Sequence, residues 1–176
     1  HLISIAPPAA DGSSFGKVFF CSSGSEANDT AMKMVWYYQA ARGKPEKRKI
    51  ISRRRGYHGV TMAAASMTAL AYAQNGFGLP LDFVKHTATP DYYNEGRDGE
   101  SEAEFTARCA AELEALIIEE GPESVGALFA EPVMGAGGVI IPPAGYFAAI
   151  RKVLERHDVL LVADEVICGF GRTGEM

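Results

Sequence analysis

Residues 21–29, CSSGSEAND, combine glycine and serine in a way that suits an anionic ligand. Gly24 lets the main chain approach a ligand closely, and the hydroxyls of Ser23 and Ser25, beside the N–H groups of a starting helix, suit a phosphate. However, Ser23 and Glu26 also match the S-x-x-E capping box. Taken alone, the stretch is therefore explained more simply by helix capping than by a ligand.

The loop RRRGYHG, residues 53–59, places Tyr57 and His58 between two glycines. An aromatic ring on such a loop can stack on a planar ligand, although a loop tyrosine more often covers the edge of the core. The basic run 42–55 could contact nucleic acid. Because the chain has a net charge of −5 and this run has one aromatic neighbour, a solvated turn explains it better.

Two acidic residues, Asp164 and Glu165, directly follow the apolar run VLLVA at 159–163. At least one of their carboxylates must point outwards where the predicted strand ends. A buried, unpaired carboxylate would be costly, so this group has to meet a cation or hydrogen-bond donors. A structural ion pair and a protonated ring nitrogen of a ligand are both suitable partners.

Other patterns exclude several classes of site. GFGRTG at 169–174 matches G-x-G-x-x-G, but its first glycine lies several residues past the predicted strand, which does not fit a dinucleotide site. No Walker A, H-E-x-x-H or G-x-S-x-G motif occurs. Cys21, Cys109 and Cys168 are odd in number and far apart, which favours reduced thiols in a cytoplasm over a disulfide framework or zinc ribbon.

The elements that must position these residues alternate between strand and helix. We predict strands over 17–21, 49–52, 125–130 and 159–163, a further possible strand near Lys85, and helices over 27–38, 61–70, 101–117 and 147–154. The first helix has a predicted apolar face of Ala27, Ala31, Met34, Val35 and Tyr38. The helix from 101 begins with an S-x-x-E capping box at Ser101 and Glu104.

Fully apolar strands separated by helices predict an α/β fold with a mostly parallel, doubly wound sheet and helices on both faces. Ligands of such folds bind at the carboxyl ends of the strands, where the stretches described above lie. The length of 176 residues fits one domain, and 47% apolar with 22% charged residues is ordinary for a soluble protein. The acidic net charge and the polar, glycine-rich character of both long uncharged stretches predict neither a nucleic-acid nor a membrane partner.

A phosphate cradle, a stacking aromatic ring and a strand-end carboxylate together describe a site for pyridoxal 5′-phosphate. On these residues the sequence resembles the class III aminotransferases, of fold type I, along essentially its whole length. Four blocks appear in family order: SGSEAN (23–28), YHG (57–59), EPVMGAGGVIIPP (131–143) and DEVICGFGRTG (164–174). The likeness is greatest to the ω-amino acid and amine–pyruvate aminotransferases.

The resemblance implies cofactor-binding roles for Ser23, Gly24, Ser25, Tyr57, His58, Glu131, Asp164 and Val166. The first three would bind the phosphate. Tyr57 would stack on the pyridine ring with His58 beside it, and Val166 would contact the other ring face. Glu131 would support the site from below the cofactor. Asp164 would hold the pyridine nitrogen protonated, so that the ring can draw off the charge formed when the substrate loses its α-proton.

One part of the family pattern is missing from these residues. The Schiff-base lysine of the family lies downstream of the aspartate block, and the sequence reaches Met176 without it; none of its seven lysines suits the role. We therefore expect no catalytic residue here. We expect residues 1–176 to be a single partial domain, the central part of the cofactor-binding large domain truncated at both ends, and to be inactive alone.

For the complete protein, the resemblance implies transfer of an amino group from an amine or ω-amino acid to a 2-oxo acid such as pyruvate. It also implies a homodimer whose site lies at the subunit interface, and the cysteines, as described above, predict that the protein is cytoplasmic. An aminomutase or a decarboxylase of the same family would use the same cradle, and a catalytically inactive cofactor-binding fragment is a further alternative.

Overall fold

The computed structural model describes residues 1–8 and 12–174 and contains a four-stranded parallel sheet. The strands are β1 (Lys49–Arg53), β2 (Val84–Thr87), β3 (Val125–Ala130) and β4 (Leu160–Ala163). The helices are α1 (Leu2–Ile5), α2 (Gly24–Ala41), α3 (Met62–Met67), α4 (Ala71–Gln74), α5 (Tyr92–Glu95), α6 (Glu102–Glu120) and α7 (Tyr146–Arg156). The spatial strand order is β2-β1-β3-β4, so each connection crosses over through helices.

Helices cover both faces of the sheet. Because successive side chains of a strand point to opposite faces, Ile50 and Ile51 belong to different cores. Ile51 packs in the core that α6 and α7 cover, which includes Phe105 and Ile150. Ile50 packs in the other core with Met32 of α2. The predicted parallel, doubly wound α/β sheet is therefore confirmed.

Local capping signals place the starts of two long helices. At α6, Ser101 Oγ accepts the N–H of Glu104 at 3.3 Å, and the Glu104 carboxylate accepts the N–H of Ser101 at 2.9 Å. At α2, Ser23 Oγ accepts the N–H of Glu26 at 3.1 Å, whereas the Glu26 carboxylate reaches back to the N–H of Ser22 at 2.8 Å. Both predicted capping serines are confirmed.

The predicted strand at 17–21 is wrong. These residues have no regular secondary structure, and Val18, Phe19 and Phe20 are exposed. A β-prone run needs a partner strand for its main-chain groups, and no strand in the described part of the chain pairs with it. The expectation that 159–163 is covered on both faces also fails, because the side chain of Leu161 in β4 is 39% exposed. Within the described residues β4 pairs with β3 alone, so it is an edge strand there.

Two members of the basic run lie inside the protein, so its interpretation as a solvated turn is wrong for them. Arg53 and Lys47 are both buried. The Lys47 ammonium donates to the main-chain oxygens of Pro122, Val125 and His157 at 2.8, 3.0 and 3.0 Å. These carbonyls replace water, although burial still lowers the pKa of Lys47.

Over the described ranges, no helix has both the length and the apolar character needed to cross a membrane.

Candidate cofactor site

A cavity of about 300 Å³ opens where β1, β3 and β4 end and α2 begins. It is lined by Ser23, Gly24, Ser25, Asn28, Tyr57, His58, Gly59, Glu131, Asp164, Val166 and Ile167. The structure thus brings together all eight residues that the sequence singled out, from four separate segments. A larger and more open cleft lies beside Arg55 and Asp91, but these two side chains already neutralise each other at 2.6 Å.

The first turn of α2 lines the cavity and presents free hydrogen-bond donors that suit an anion. The N–H of Glu26 is used by Ser23 Oγ and that of Ala27 by Ser23 O, whereas the N–H groups of Gly24 and Ser25 have no acceptor among the described residues. The hydroxyl of Ser25 accepts the N–H of Val60 at 3.0 Å, which leaves its own hydrogen free to donate. Capping and anion binding are therefore compatible, and the helix dipole adds positive potential at this end.

Two glycines allow the walls of the cavity to approach each other closely. A Cβ at Gly24 would lie 3.1 Å from a methyl carbon of Val166, so a larger residue would close the space between the helix and this wall. Gly59 has a φ of +130°, and a Cβ there would lie 2.9 Å from both Cα and Cβ of Ser25. The loop of residues 57–59 is thus held directly against the anion-binding turn.

A buried, ionised carboxylate, that of Asp164, also lines the cavity. Oδ2 of Asp164 accepts from Asn28 Nδ2 at 2.8 Å and from His58 Nδ1 at 2.9 Å, and Oδ1 accepts the N–H of Val166 at 3.3 Å. Burial by itself raises the pKa of Asp164, but the hydrogen bonds from His58 and Asn28 outweigh burial and hold the pKa below its ordinary value. Oδ1 has capacity left for one more donor.

Glu131 joins two loops of the site through its buried carboxylate. Oε1 accepts the N–H of Tyr57 at 3.0 Å, and Oε2 accepts the N–H of Gly135 at 2.9 Å. Glu131 therefore fixes the main chain that carries the Tyr57 ring, which agrees with a supporting position below a ligand.

The sequence did not single out Asn28 or Thr68, although both hold the site together. Besides Asp164, the Asn28 amide donates to the main-chain oxygen of His58 at 2.8 Å. Thr68 Oγ1 accepts the N–H groups of His58 and Gly59 at 2.8 and 3.2 Å. A polar residue on the sheet side of a helix was an available signal for Asn28. Nothing in the sequence linked Thr68 to this loop.

These residues fit a flat cofactor with a phosphate at one end and a protonated ring nitrogen at the other. Free N–H groups and a hydroxyl of α2 suit the phosphate, and Asp164 suits the nitrogen. Tyr57 and Val166 also line the cavity and supply apolar surface for the ring. None of the seven lysines lines the cavity. No group of His, Cys, Asp and Glu side chains suited to a metal ion occurs in residues 1–8 and 12–174.

Comparison with known proteins gives one consistent result. The family model for class-III aminotransferases matches residues 1–176. The chain is 56% identical to gamma aminobutyrate transaminase 2 of Solanum lycopersicum over 161 residues, 92% of this chain and 35% of that protein. It is 54% identical to vanillin aminotransferase of Capsicum frutescens over 160 residues, 91% of this chain and 35% of that protein.

Solved structures agree with the sequence relatives. An omega transaminase from Pseudomonas jessenii in complex with PMP is 54% identical, with a TM-score of 0.94 over 99% of this chain and 38% of that one. The chain therefore spans between about 35% and 38% of the length of these relatives.

Proposed function

Because the chain belongs to the class-III aminotransferase family, we propose that the complete protein is a pyridoxal 5′-phosphate-dependent aminotransferase. We further propose that it moves an amino group from an amine or ω-amino acid to a 2-oxo acid such as pyruvate. The observation that carries this proposal is the pairing, in one cavity, of the free N–H groups of α2 with the buried, ionised carboxylate of Asp164.

The names of the relatives support the donor class. Two of them mention gamma aminobutyrate, which is an ω-amino acid, and the omega class of transaminase, and both are consistent with an amine or ω-amino acid as donor. Vanillin, in the third name, is an aldehyde and can only accept an amino group. The proposed amino acceptor, a 2-oxo acid such as pyruvate, is supported by the resemblance to the amine–pyruvate aminotransferases. The aminomutase and decarboxylase alternatives use the same cradle, and no contact within it favours either one.

When bound, pyridoxal phosphate supplies an electron sink for the charge formed at the substrate carbon. Asp164 would make that sink effective, because its ionised carboxylate would hold a proton on the ring nitrogen. His58 and Asn28 keep the carboxylate ionised and fix its direction. The N–H groups of Gly24 and Ser25 would bind the phosphate, with the hydroxyls of Ser23 and Ser25 beside them.

Tyr57 and Val166 would cover the two faces of the ring and exclude water from them. Glu131 would hold Tyr57 in place through its main chain. A lysine C-terminal to these residues, which would move the proton of the substrate, stays a prediction.

We also propose that the complete protein is a cytoplasmic homodimer with no nucleic-acid or membrane partner. The absence of any disulfide among the described residues supports a reducing compartment, since Cys21, Cys109 and Cys168 are all free. Exposed apolar side chains on α2, including Met34, Tyr37 and Tyr38, support a contact with further protein surface.

Asp164→Asn in the complete protein tests the proposed activity. The amide cannot hold the ring nitrogen protonated as a carboxylate does, so we expect turnover to fall on the order of 100-fold or more while the fold is retained. Glu165→Gln is the matched control, because Glu165 is the adjacent acid and is exposed. Near-normal turnover of Asp164→Asn would refute the role of Asp164.

Product analysis of the wild-type protein separates the alternatives. Transfer of labelled amino nitrogen to the 2-oxo acid supports transamination. Release of CO₂ from the donor would identify a decarboxylase, and rearrangement without an acceptor would identify an aminomutase. No conversion of any kind by the complete protein would leave a catalytically inactive cofactor-binding protein.

A further inference from the structure

Arg53, the last residue of β1, is a buried cation without an acidic partner. Its side chain is fully buried. Nη2 donates to the main-chain oxygen of Glu131, while Nε and Nη1 have no partner among residues 1–8 and 12–174. The guanidinium carbon lies 6.0 and 5.9 Å from the ring centres of Tyr146 and Phe147 at the start of α7.

Stability alone does not explain a guanidinium at this position. A buried charge loses its hydration, and two aromatic rings, the nearby Tyr146 hydroxyl and one carbonyl restore only part of it. An apolar side chain of similar length would fill the same space at lower cost. An apolar side chain cannot provide a charge beside the Tyr146 hydroxyl or a donor for the carbonyl of Glu131, and of these two groups only Glu131 belongs to the cavity.

The carbonyl of Glu131 directly follows the last residue of β3, Ala130. Within the described residues, the last main-chain hydrogen bond between this segment and the chain after β4 runs from the N–H of Asp164 to the oxygen of Ala130 at 2.9 Å. The next residue is Glu131, and its main-chain oxygen accepts a hydrogen bond from the side chain of Arg53. Arg53 also begins the turn that leads to Tyr57, since its own carbonyl accepts the N–H of Gly56 at 3.0 Å.

Arg53 therefore contacts Glu131, which accepts the N–H of Tyr57, and Gly56, which directly precedes Tyr57. Its guanidinium holds the main chain of Glu131, whose carboxylate accepts the N–H of Tyr57. We infer that Arg53 is a positioning residue, which fixes Glu131 so that Tyr57 is held at the angle needed to cover the ring of the cofactor. The cofactor part of this inference rests on the proposed function, whereas the effect on the Tyr57 N–H does not.

The test uses the complete protein with Arg53→Met and Arg53→Lys. Methionine keeps the length without donors, and lysine keeps the charge without the planar fork. Arg54→Met is the matched control, because it removes the same charge from the adjacent residue. The Arg54 side chain is 51% exposed and binds Glu112, which lies outside the cavity.

The first measurement is hydrogen exchange of the Tyr57 and Gly135 amides in the cofactor-free protein. Both Arg53 variants should exchange about tenfold faster at these amides, while Arg54→Met matches the wild type. The second measurement is titration with pyridoxal phosphate. The dissociation constant should rise about tenfold for the Arg53 variants, and the visible circular dichroism of the bound ring should change. The KM of the amino donor should stay unchanged.

Unchanged exchange and unchanged cofactor affinity in a folded Arg53 variant would overturn the inference. Equal changes in exchange and cofactor affinity in Arg54→Met would also overturn the inference, because the loss of a positive charge, and not the position of Arg53, would then explain them. If Arg53→Met does not fold, Arg53→Lys decides; if neither folds, Arg53 is a core residue and the inference is wrong. If the wild-type protein binds no pyridoxal phosphate, the proposed function fails, and the exchange measurement still decides the role of Arg53.

Discussion

Replacing Gly59 by alanine should push the loop of residues 57–59 away from Ser25 at the start of α2. The N–H and the carbonyl of Gly59 are both bound by Thr68 Oγ1, at 3.2 and 3.0 Å, so the loop cannot shift freely. A Cβ at this position would lie 2.9 Å from Cα and Cβ of Ser25 and closer still to its hydroxyl. Either the loop or the start of α2 has to move.

The size of the effect follows from these distances. Carbon atoms pack at about 3.5–4.0 Å, so Ser25 must retreat by roughly 0.5–1 Å. The φ of +130° is itself unfavourable for alanine, at about 1–3 kcal/mol, and overpacking adds about 1–3 kcal/mol. Losing one hydrogen bond from Ser25 to a charged phosphate costs about 1.5–3 kcal/mol. The dissociation constant of pyridoxal phosphate should therefore rise about 10- to 150-fold.

The assay is an absorbance titration of the cofactor-free complete protein. Gly43→Ala is the matched control, because Gly43 has a φ of +76° and no atom lies within 4 Å of a Cβ there. Both variants should melt at a lower temperature than the wild type, but only Gly59→Ala should bind the cofactor more weakly. Equal dissociation constants for the two variants would refute the assignment of Ser25 to the phosphate.

Two further predictions concern titratable groups. The hydrogen bonds that hold the pKa of Asp164 below its ordinary value stabilise the fold fully above about pH 4, and this contribution is lost as the pH falls through the lowered pKa. Asn28→Ala removes one donor, so its acid unfolding by circular dichroism should occur at higher pH; an unchanged midpoint would contradict the donor role. Burial raises the pKa of the Cys109 thiol to about 11, so a maleimide at about pH 8 should label it only after unfolding. Rapid labelling of native Cys109, located by peptide mapping, would be inconsistent with its position on the buried face of α6.

Features that depend on neighbours in the chain were predictable. The capping box of Ser101 and Glu104 spans four residues, and its two hydrogen bonds appear where the pattern indicated. β3 is apolar and buried throughout, as its continuous run predicted. The chemistry of the site was also readable, because each candidate residue lies at the start of a helix or within a few residues after the end of a strand.

Features that depend on partners far away in the chain could not be predicted from the sequence. The predicted face of α2 was wrong for Met34 and Tyr38, which are exposed, whereas Asn28 and Gln39 are buried. Their acceptors explain this: Gln39 donates to the oxygen of Gly126, 87 residues away, and Asn28 donates to Asp164, 136 residues away. A polar side chain can be buried once such a partner is present, and periodicity does not contain that information.

By itself, the sequence determined the α/β order of elements, the caps and the types of group at the strand ends, because these follow from residue types and short spacings. Only the tertiary structure decided that Asp164 is ionised between Asn28 and His58, and that Arg53 lies buried beneath Glu131. The physical reason is that the state of a buried polar group is set by the donors and acceptors packed around it, and these come from segments far apart in the chain.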